Sequence, residues 1–183
     1  IPIKPPRITS AIFMWGFYTI KRGSPYACGM QELTSDELLQ HESNSILDRL
    51  DYSEAIAIGE LATHVGMARN LPIIIEVRFD GRTVYKAALK GSNIESENWI
   101  IRKARVVDLK HHSTRYERIK SEELGIDWHK ENGVEDATHA IHGGGFPIYT
   151  DAGFAGVLLI SGLPQVEDHL LAVEILSQFK SNN

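Results

Sequence analysis

The order of apolar and polar residues predicts an α+β domain in which helices are layered on an antiparallel sheet. Two pairs of β-rich runs, each joined by a short turn, predict two hairpins. Amphipathic helical patterns precede, separate and follow these hairpins, and such helices bury their apolar faces against a sheet. With one further extended piece at residues 46–50, about five strands are expected.

Capping boxes predict where the first two helices begin. Thr34 and Glu37 form the first box and open a short helix. Asp51 and Glu54 repeat the pattern and open a longer helix, which Pro72 prevents from continuing. Within the longer helix, apolar side chains recur at the spacing of one helical face.

The hairpins are indicated by β-rich runs around turn residues. Residues 73–79 and 82–89 form the first pair, and the Asp-Gly dipeptide between them supplies the positive φ angles of a two-residue turn. Residues 146–149 and 154–161 form the second pair.

The remaining segments alternate between helical and polar patterns. Residues 96–110 and 113–124 have helical spacing, whereas the polar residues 125–135 are expected to form a loop. Residues 164–179 predict a closing helix, and Pro164 suits its first turn.

Length and composition predict one ordinary globular domain. The chain has 183 residues, of which 43% are hydrophobic and 23% charged, and it has no run of ~20 apolar residues that would span a membrane. Its formal net charge of −5 argues against nucleic-acid binding, which needs a basic surface. The single cysteine, Cys28, excludes an intramolecular disulfide and a Cys-rich metal cluster. These features are typical of a soluble, mildly acidic protein, which is expected in the cytoplasm.

Residues 1–29 differ in composition from the rest of the chain. Several prolines are followed by a short, aromatic-rich apolar stretch and then by Lys21 and Arg22. One interpretation is that Met30 is the natural start and that residues 1–29 are a non-native extension. The alternatives are an extra strand or partner-binding arm, and a targeting segment. The folded domain is accordingly expected to span residues 30–183.

Histidines cluster in the second half of the chain, near the ends of predicted elements. Neutral imidazole is a common ligand of metal ions and of haem iron. His139 and His142 would share one face if their segment were helical, so they form a candidate metal site. The alternative is that the histidines shape loops through hydrogen bonds.

A run of three glycines follows His142. Glycine lets the backbone approach a ligand closely and presents N–H groups to an anion. Gly143 and Gly144 are therefore candidate anion-binding positions, although the same run also suits a tight turn. Arg102 and Lys103 are interpreted either as cationic partners of that anion or as part of a solvated helix face.

A strand-to-helix junction at residues 161–165 precedes Asp168 and His169. Acidic residues in the first turn stabilise a helix N-terminus. Asp168 is therefore interpreted either as a helix-stabilising charge or as a group that orients His169 beside a pocket.

Four segments, in one order, resemble a known family. They are Asn98-Trp99-Ile100-x-Arg102-Lys103, His112-Ser113, His142-Gly143-Gly144-x-Phe146-Pro147-Ile148 and Ser161-Gly162-Leu163-Pro164-Gln165-x-Glu167-Asp168-His169. Together they resemble a small uncharacterised protein family that is grouped with the haem-degrading domain superfamily, which includes GlcG-like and HbpS-like haem-binding proteins. The resemblance covers about residues 38–179.

The resemblance implies an α-β-α sandwich with an antiparallel sheet in a profilin-like layout, and assembly into homo-oligomers. The candidate ligand-binding residues are Trp99, Arg102, Lys103, His112, Ser113, His142, Gly143, Gly144, Phe146, Asp168 and His169. Thr138 and His139 depart from the family pattern, which has an acidic and an aromatic residue there. This departure adds an imidazole close to His142.

The residues leave three functions open. In the first, the chain binds or degrades haem as its cofactor or substrate. The expected roles are iron ligation by His142 or His112, propionate binding by Arg102, Lys103 and the glycine N–H groups, and ring stacking by Trp99 or Phe146. In the second, the histidine cluster serves a small-molecule or metal-dependent enzyme. In the third, the chain is a non-catalytic oligomeric scaffold or stress-associated protein with Trp99 at an interface.

Overall fold

The structure, a computed structural model, describes residues 33–182. Its helices are α1 (Ser35–Asn44), α2 (Tyr52–Ala68), α3 (Ile94–Lys110), α4 (Thr114–Leu124), α5 (Trp128–Glu131) and α6 (Gln165–Ser181). Its strands are β1 (Ile74–Phe79), β2 (Arg82–Ala88), β3 (Gly145–Thr150) and β4 (Gly153–Ser161). The predictions that residues 1–29 are an extension and that Met30 is the natural start concern residues outside this range. Among the helices that are described, none is long and apolar enough to cross a membrane.

Local capping places the first two helices where they were predicted. The Thr34 hydroxyl accepts a hydrogen bond from the Glu37 N–H at 3.3 Å, and the Glu37 carboxylate accepts one from the Thr34 N–H at 2.8 Å. Asp51 and Glu54 exchange the same pair of bonds at the start of α2, at 3.3 and 3.1 Å. Each bond satisfies an N–H group that has no partner within its own helix. The predicted starts of α1 and α2 are therefore confirmed.

The four strands form one antiparallel sheet in the order β2-β1-β4-β3. Both predicted hairpins are confirmed, and β1 and β4 pair with each other at the centre of the sheet. Asp80 and Gly81 have φ angles of 52° and 69°, which is the left-handed backbone that a two-residue hairpin turn requires.

The expected fifth strand does not form within the described residues. Leu47 makes a single parallel bridge to Thr150, with its N–H bonded to the Tyr149 carbonyl oxygen at 2.9 Å. Thr150 is the last residue of β3, so in this parallel register the residues after Leu47 run past the end of the strand, beside the turn at residues 151–152. Before Leu47, Ser45 already caps α1. The prediction of about five strands is therefore wrong by one, and the fold is α+β with a four-stranded antiparallel sheet.

The predicted loop at residues 125–135 contains the short helix α5. Asp127 caps this helix, and Trp128 is buried with its indole N–H donating to the Glu117 carboxylate at 2.6 Å. A single helical turn is too short to show an amphipathic period, so the pattern of apolar residues gave no signal for it.

Helices pack on both faces of the sheet. Successive strand residues point to opposite faces. On one face, residues such as Ile75 and Leu158 pack against α2 and α6. On the other face, residues such as Ile74 and Leu159 pack against Ile100 and its neighbours in α3. The starts of α3 and α6 therefore reach the end of β4 from opposite faces.

Candidate functional site

A pocket of about 320 Å³ opens where β4 ends and where α3 and α6 begin. It is lined by Asn93, Glu95, Ser96, Trp99, Lys103, His142, Ser161, Gly162, Leu163, Gln165 and Asp168. Trp99, Lys103, His142 and Asp168 are predicted binding residues that the fold brings together here. The volume lies at the lower end of the ~300–1,000 Å³ range that proteins use for small ligands and cofactors.

Lys103 and Asp168 form a buried ion pair in the wall of the pocket. The Lys103 Nζ lies 2.9 Å from Oδ2 of Asp168 and 3.0 Å from the Ile160 carbonyl oxygen, and the two side chains are only 3% and 2% exposed. The other Asp168 oxygen accepts the Leu163 N–H at 3.0 Å. Burial lowers the pKa of Lys103 and raises the pKa of Asp168, and the attraction between the two charges opposes both shifts. The pair joins α3 to the start of α6.

His142 and Trp99 form the aromatic side of the pocket. Their rings meet edge to face, with centroids 4.7 Å apart. Burial lowers the pKa of His142 below its usual value near 6.5, and the positive charge of nearby Arg118 adds to the effect, so the imidazole is neutral at pH 7. Its Nδ1 is buried without a hydrogen-bond partner, and the side chain lines the pocket. Neutral imidazole is a common ligand of haem iron.

Gly143 and Gly144 let their segment pack directly against α6 and β4. A methyl group at Gly143 would overlap the Gln165 carbonyl oxygen, and one at Gly144 would overlap the Ile160 carbonyl oxygen. The Gly143 N–H points to Oε1 of Gln165 at 3.5 Å, so it is directed at a protein group. The glycine run therefore acts here as a close-packed turn beside the pocket.

Arg102 lies next to the pocket, on the outer face of Trp99. Its guanidinium carbon is 4.3 Å from the indole centroid, and Nη2 donates to the Asp136 carboxylate at 2.8 Å. A second concavity of about 470 Å³ begins on this side, and Ile101 and Arg105 also line it. Trp99 and Arg102 thus form a ridge between two adjoining concave surfaces.

His112 and Ser113 do not line the pocket that holds His142. The buried Glu42 carboxylate accepts the Ser113 N–H at 2.7 Å and lies 2.8 Å from Nδ1 of His112. This bond to Glu42 raises the pKa of His112. His112 lines a separate pocket of about 220 Å³ together with Tyr149.

His169 and Phe146 are buried in the core, away from the pocket. Nε2 of His169 lies 3.1 Å from Nδ1 of His41, and the Phe146 and His169 ring centroids are 5.5 Å apart. Successive helix residues point about 100° apart, so Asp168 faces the pocket while His169 faces the core. Asp168 consequently holds Lys103 and does not orient His169, and the fully buried Phe146 ring is not available to stack on a ligand.

The buried His169 predicts a loss of stability in mild acid. Burial lowers its pKa to about 3, from a usual value of 6.5. Below pH 6.5 the unfolded chain binds more protons at this residue, so its contribution is complete above pH 6.5 and is lost as the pH falls toward 3. From these two values, the contribution of His169 to the free energy of unfolding should fall by about 2 kcal/mol between pH 7.5 and pH 5. Urea unfolding at the two pH values measures this change.

The matched variant is His169→Gln, which has no titrating ring. We expect the stability difference between the wild type and this variant to shrink by about 2 kcal/mol at pH 5. His64→Gln makes the same substitution at an exposed position and serves as its control. The same pH dependence in the wild type and in His169→Gln would contradict the assignment.

The segment that holds His139 and His142 is a turn followed by irregular backbone, so the two side chains do not share a helix face. Nδ1 of His139 lies 2.9 Å from the Thr138 hydroxyl. Over residues 33–182, no three His, Cys, Asp or Glu side chains form a group that could hold a metal ion.

Asn93 and Gln165 line the pocket but were not among the predicted binding residues. Asn93 caps α3, with its amide oxygen accepting the Ser96 N–H at 3.0 Å, and Gln165 begins α6. Both are polar residues at helix starts. Asparagine is a preferred N-cap residue, so the sequence did indicate that Asn93 stands at the start of a helix. That the two helix starts meet could not be read from local spacing.

Proteins of related sequence and structure cover most of this chain. A UPF0303 protein of Streptomyces avermitilis is 36% identical over 147 residues, which is 80% of this chain and 90% of the relative. The solved structure of the Ybr137w protein is 25% identical, with a TM-score of 0.76 over 83% of this chain and 90% of its own. The solved complex of PduOC with haem has the same fold, with 15% identity and a TM-score of 0.61 over 71% of this chain and 94% of its own.

A family model extends this likeness over the whole site. The model described as haem-degrading protein HbpS-like matches residues 50–177, a range that contains all four strands and every residue that lines the pocket. Because this match covers most of the chain, the protein belongs to the HbpS-like family of haem-degrading proteins.

Proposed function

We propose that the protein binds haem, or a closely related tetrapyrrole, at the pocket beside Trp99 and His142. The observation that carries the proposal is the His142 imidazole, which is neutral and lines the pocket beside Trp99. Family membership supports it, as does the likeness of the fold to a PduOC protein whose complex with haem has been solved.

The residues around the pocket fit such a ligand. His142 would hold the iron through Nε2, and Trp99 offers an aromatic surface beside it. One edge of a large planar ring would occupy the pocket, and the adjoining concavity lined by Ile101 and Arg105 would extend the contact surface past Trp99. Bound iron would supply redox chemistry, and the protein's part is to bind and orient the ring.

Homo-oligomeric assembly in the cytoplasm is part of the same proposal. Ile94 and Leu109 on α3 are 72% and 49% exposed, and large exposed apolar side chains suit a contact between copies of the chain. Light scattering of the purified protein should then give a mass well above the 20.5 kDa of one chain.

A haem titration of the full chain tests the function, with the Soret absorption band as the readout. The wild type and the exposed-site control His64→Ala should show a saturable band, and His142→Ala should bind at least about tenfold more weakly. A repeat in air with added reductant tests whether bound haem is degraded.

Two results would change the assignment. The absence of a saturable Soret band in the wild type would overturn haem binding. A band that survives in His142→Ala and disappears in His112→Ala would move the iron site to the pocket beside Glu42.

A further inference from the structure

The pocket presents amide groups whose oxygen atoms are already used inside the protein. The amide oxygen of Asn93 accepts the Ser96 N–H at 3.0 Å, and that of Gln165 faces the Gly143 N–H at 3.5 Å. A backbone N–H can only donate, so each amide must turn its oxygen toward it. The NH₂ groups of Asn93 and Gln165 are therefore the parts left for the pocket, and each carries two donor hydrogens.

Lys103 adds a charged donor to these amides. Its ammonium group carries three hydrogens, and its acceptors are the Asp168 carboxylate at 2.9 Å and the Ile160 carbonyl oxygen at 3.0 Å. These two acceptors account for two of the hydrogens. The side chain is only 3% exposed and lines the pocket, so water reaches it mainly through that opening.

The charges around the pocket favour an anion. Asp168 is already compensated by Lys103 and by the Leu163 N–H. The starts of α3 and α6 both border the pocket and add partial positive charge. Glu95 is the opposing charge, and it is exposed at the rim, where water screens it.

We propose that the pocket binds a carboxylate group, with Asn93, Gln165 and Lys103 as its hydrogen-bond donors. This inference rests on the proposed function only for the source of the carboxylate, which in haem is a propionate. The other source is a small free acid whose ring contacts Trp99 and His142. Both sources present the same chemistry to the three donors.

Two nearly isosteric variants test the donors without removing the helix starts. Asn93→Asp keeps the cap of α3, because aspartate caps as well as asparagine does. Gln165→Glu places an acid in the first turn of α6, which the helix dipole favours. Each variant exchanges an NH₂ donor for a carboxylate oxygen that repels a bound carboxylate. Asn70→Asp and Gln40→Glu add the same charge at exposed positions outside the pocket and serve as controls.

The first arm compares haem with haem dimethyl ester, in which both propionates are blocked. If a propionate occupies the pocket, the wild type and both controls should bind haem at least about tenfold more tightly than the ester. Asn93→Asp and Gln165→Glu should abolish that preference while binding the ester as the wild type does.

The second arm uses benzoate, with neutral benzamide as its matched control, and follows the Trp99 indole signal by NMR. If a free acid is the source, benzoate should shift this signal saturably, benzamide should not, and both pocket variants should lose the effect. This arm does not involve haem, so it remains decisive if haem binding fails.

A preference for the carboxylate form in either arm, lost in both pocket variants, supports the proposal and names the source. It is overturned if haem and its ester bind alike, or do not bind, and benzoate also gives no saturable shift. It is equally overturned if the pocket variants behave as the controls do.

Discussion

Replacement of Asp168 by alanine is expected to lower the free energy of unfolding by about 3–5 kcal/mol. The substitution leaves the Lys103 ammonium buried with one carbonyl oxygen as its acceptor, and it removes the acceptor of the Leu163 N–H. A buried charge without its partner is far more destabilising than the loss of an exposed pair. Urea unfolding at pH 7.5 measures the effect.

The matched control is Glu122→Ala, which breaks the exposed pair of Glu122 with Arg118. That pair should contribute at most about 0.5 kcal/mol. The double variant Lys103→Met/Asp168→Ala removes both charges and should recover much of the lost stability. The explanation fails if Asp168→Ala is as mild as Glu122→Ala, or if the double variant is no more stable than the single one.

Replacement of Gly144 by alanine is expected to be the other severe change, with a loss of more than about 3 kcal/mol. Gly144 has a φ angle of 112°, which non-glycine residues avoid. The added methyl group would also lie within 3.0 Å of the Ile160 carbonyl oxygen, of Asp168 Cβ and of Lys103 Nζ. None of these atoms is the end of a freely moving side chain.

Gly153 provides the control for the backbone angle alone. Its φ angle is 114°, and a methyl group there would meet no atom within 4 Å. Gly153→Ala should therefore lower stability by only about 1–3 kcal/mol, and the difference between the two variants measures the close approach at Gly144. Equal denaturation midpoints for the two variants would contradict the tight packing described for the glycine turn.

Much of the fold could be predicted because its signals are local. Thr34 and Asp51 begin their helices through bonds to residues three positions away, and Asp80 and Gly81 form a turn with almost any flanking strands. The extra strand was over-predicted because Leu47 pairs only once, with the last residue of β3. An alternation of apolar residues indicates an extended backbone, but it does not show whether a neighbouring strand is available for pairing.

The site was predicted only in part because its contacts are distant in sequence. Trp99, Lys103, His142 and Asp168 were named as single candidates, but their meeting at one pocket depends on how α3 and α6 cross the sheet. Asp168 and His169 are adjacent, and only the rotation of the helix sends one to the pocket and the other to the core.

The central pairing of β1 with β4 sets when the chain can fold during its synthesis. β1 lacks this neighbour until β4, the last strand within residues 33–182, has left the ribosome. Lys103 is made 65 residues before Asp168, an interval of roughly 3–13 s at ~5–20 residues per second. A nascent chain that ends before α6 lacks Gln165 and Asp168, so it has no completed pocket. The proposed ligand site can therefore form only after α6 has been made.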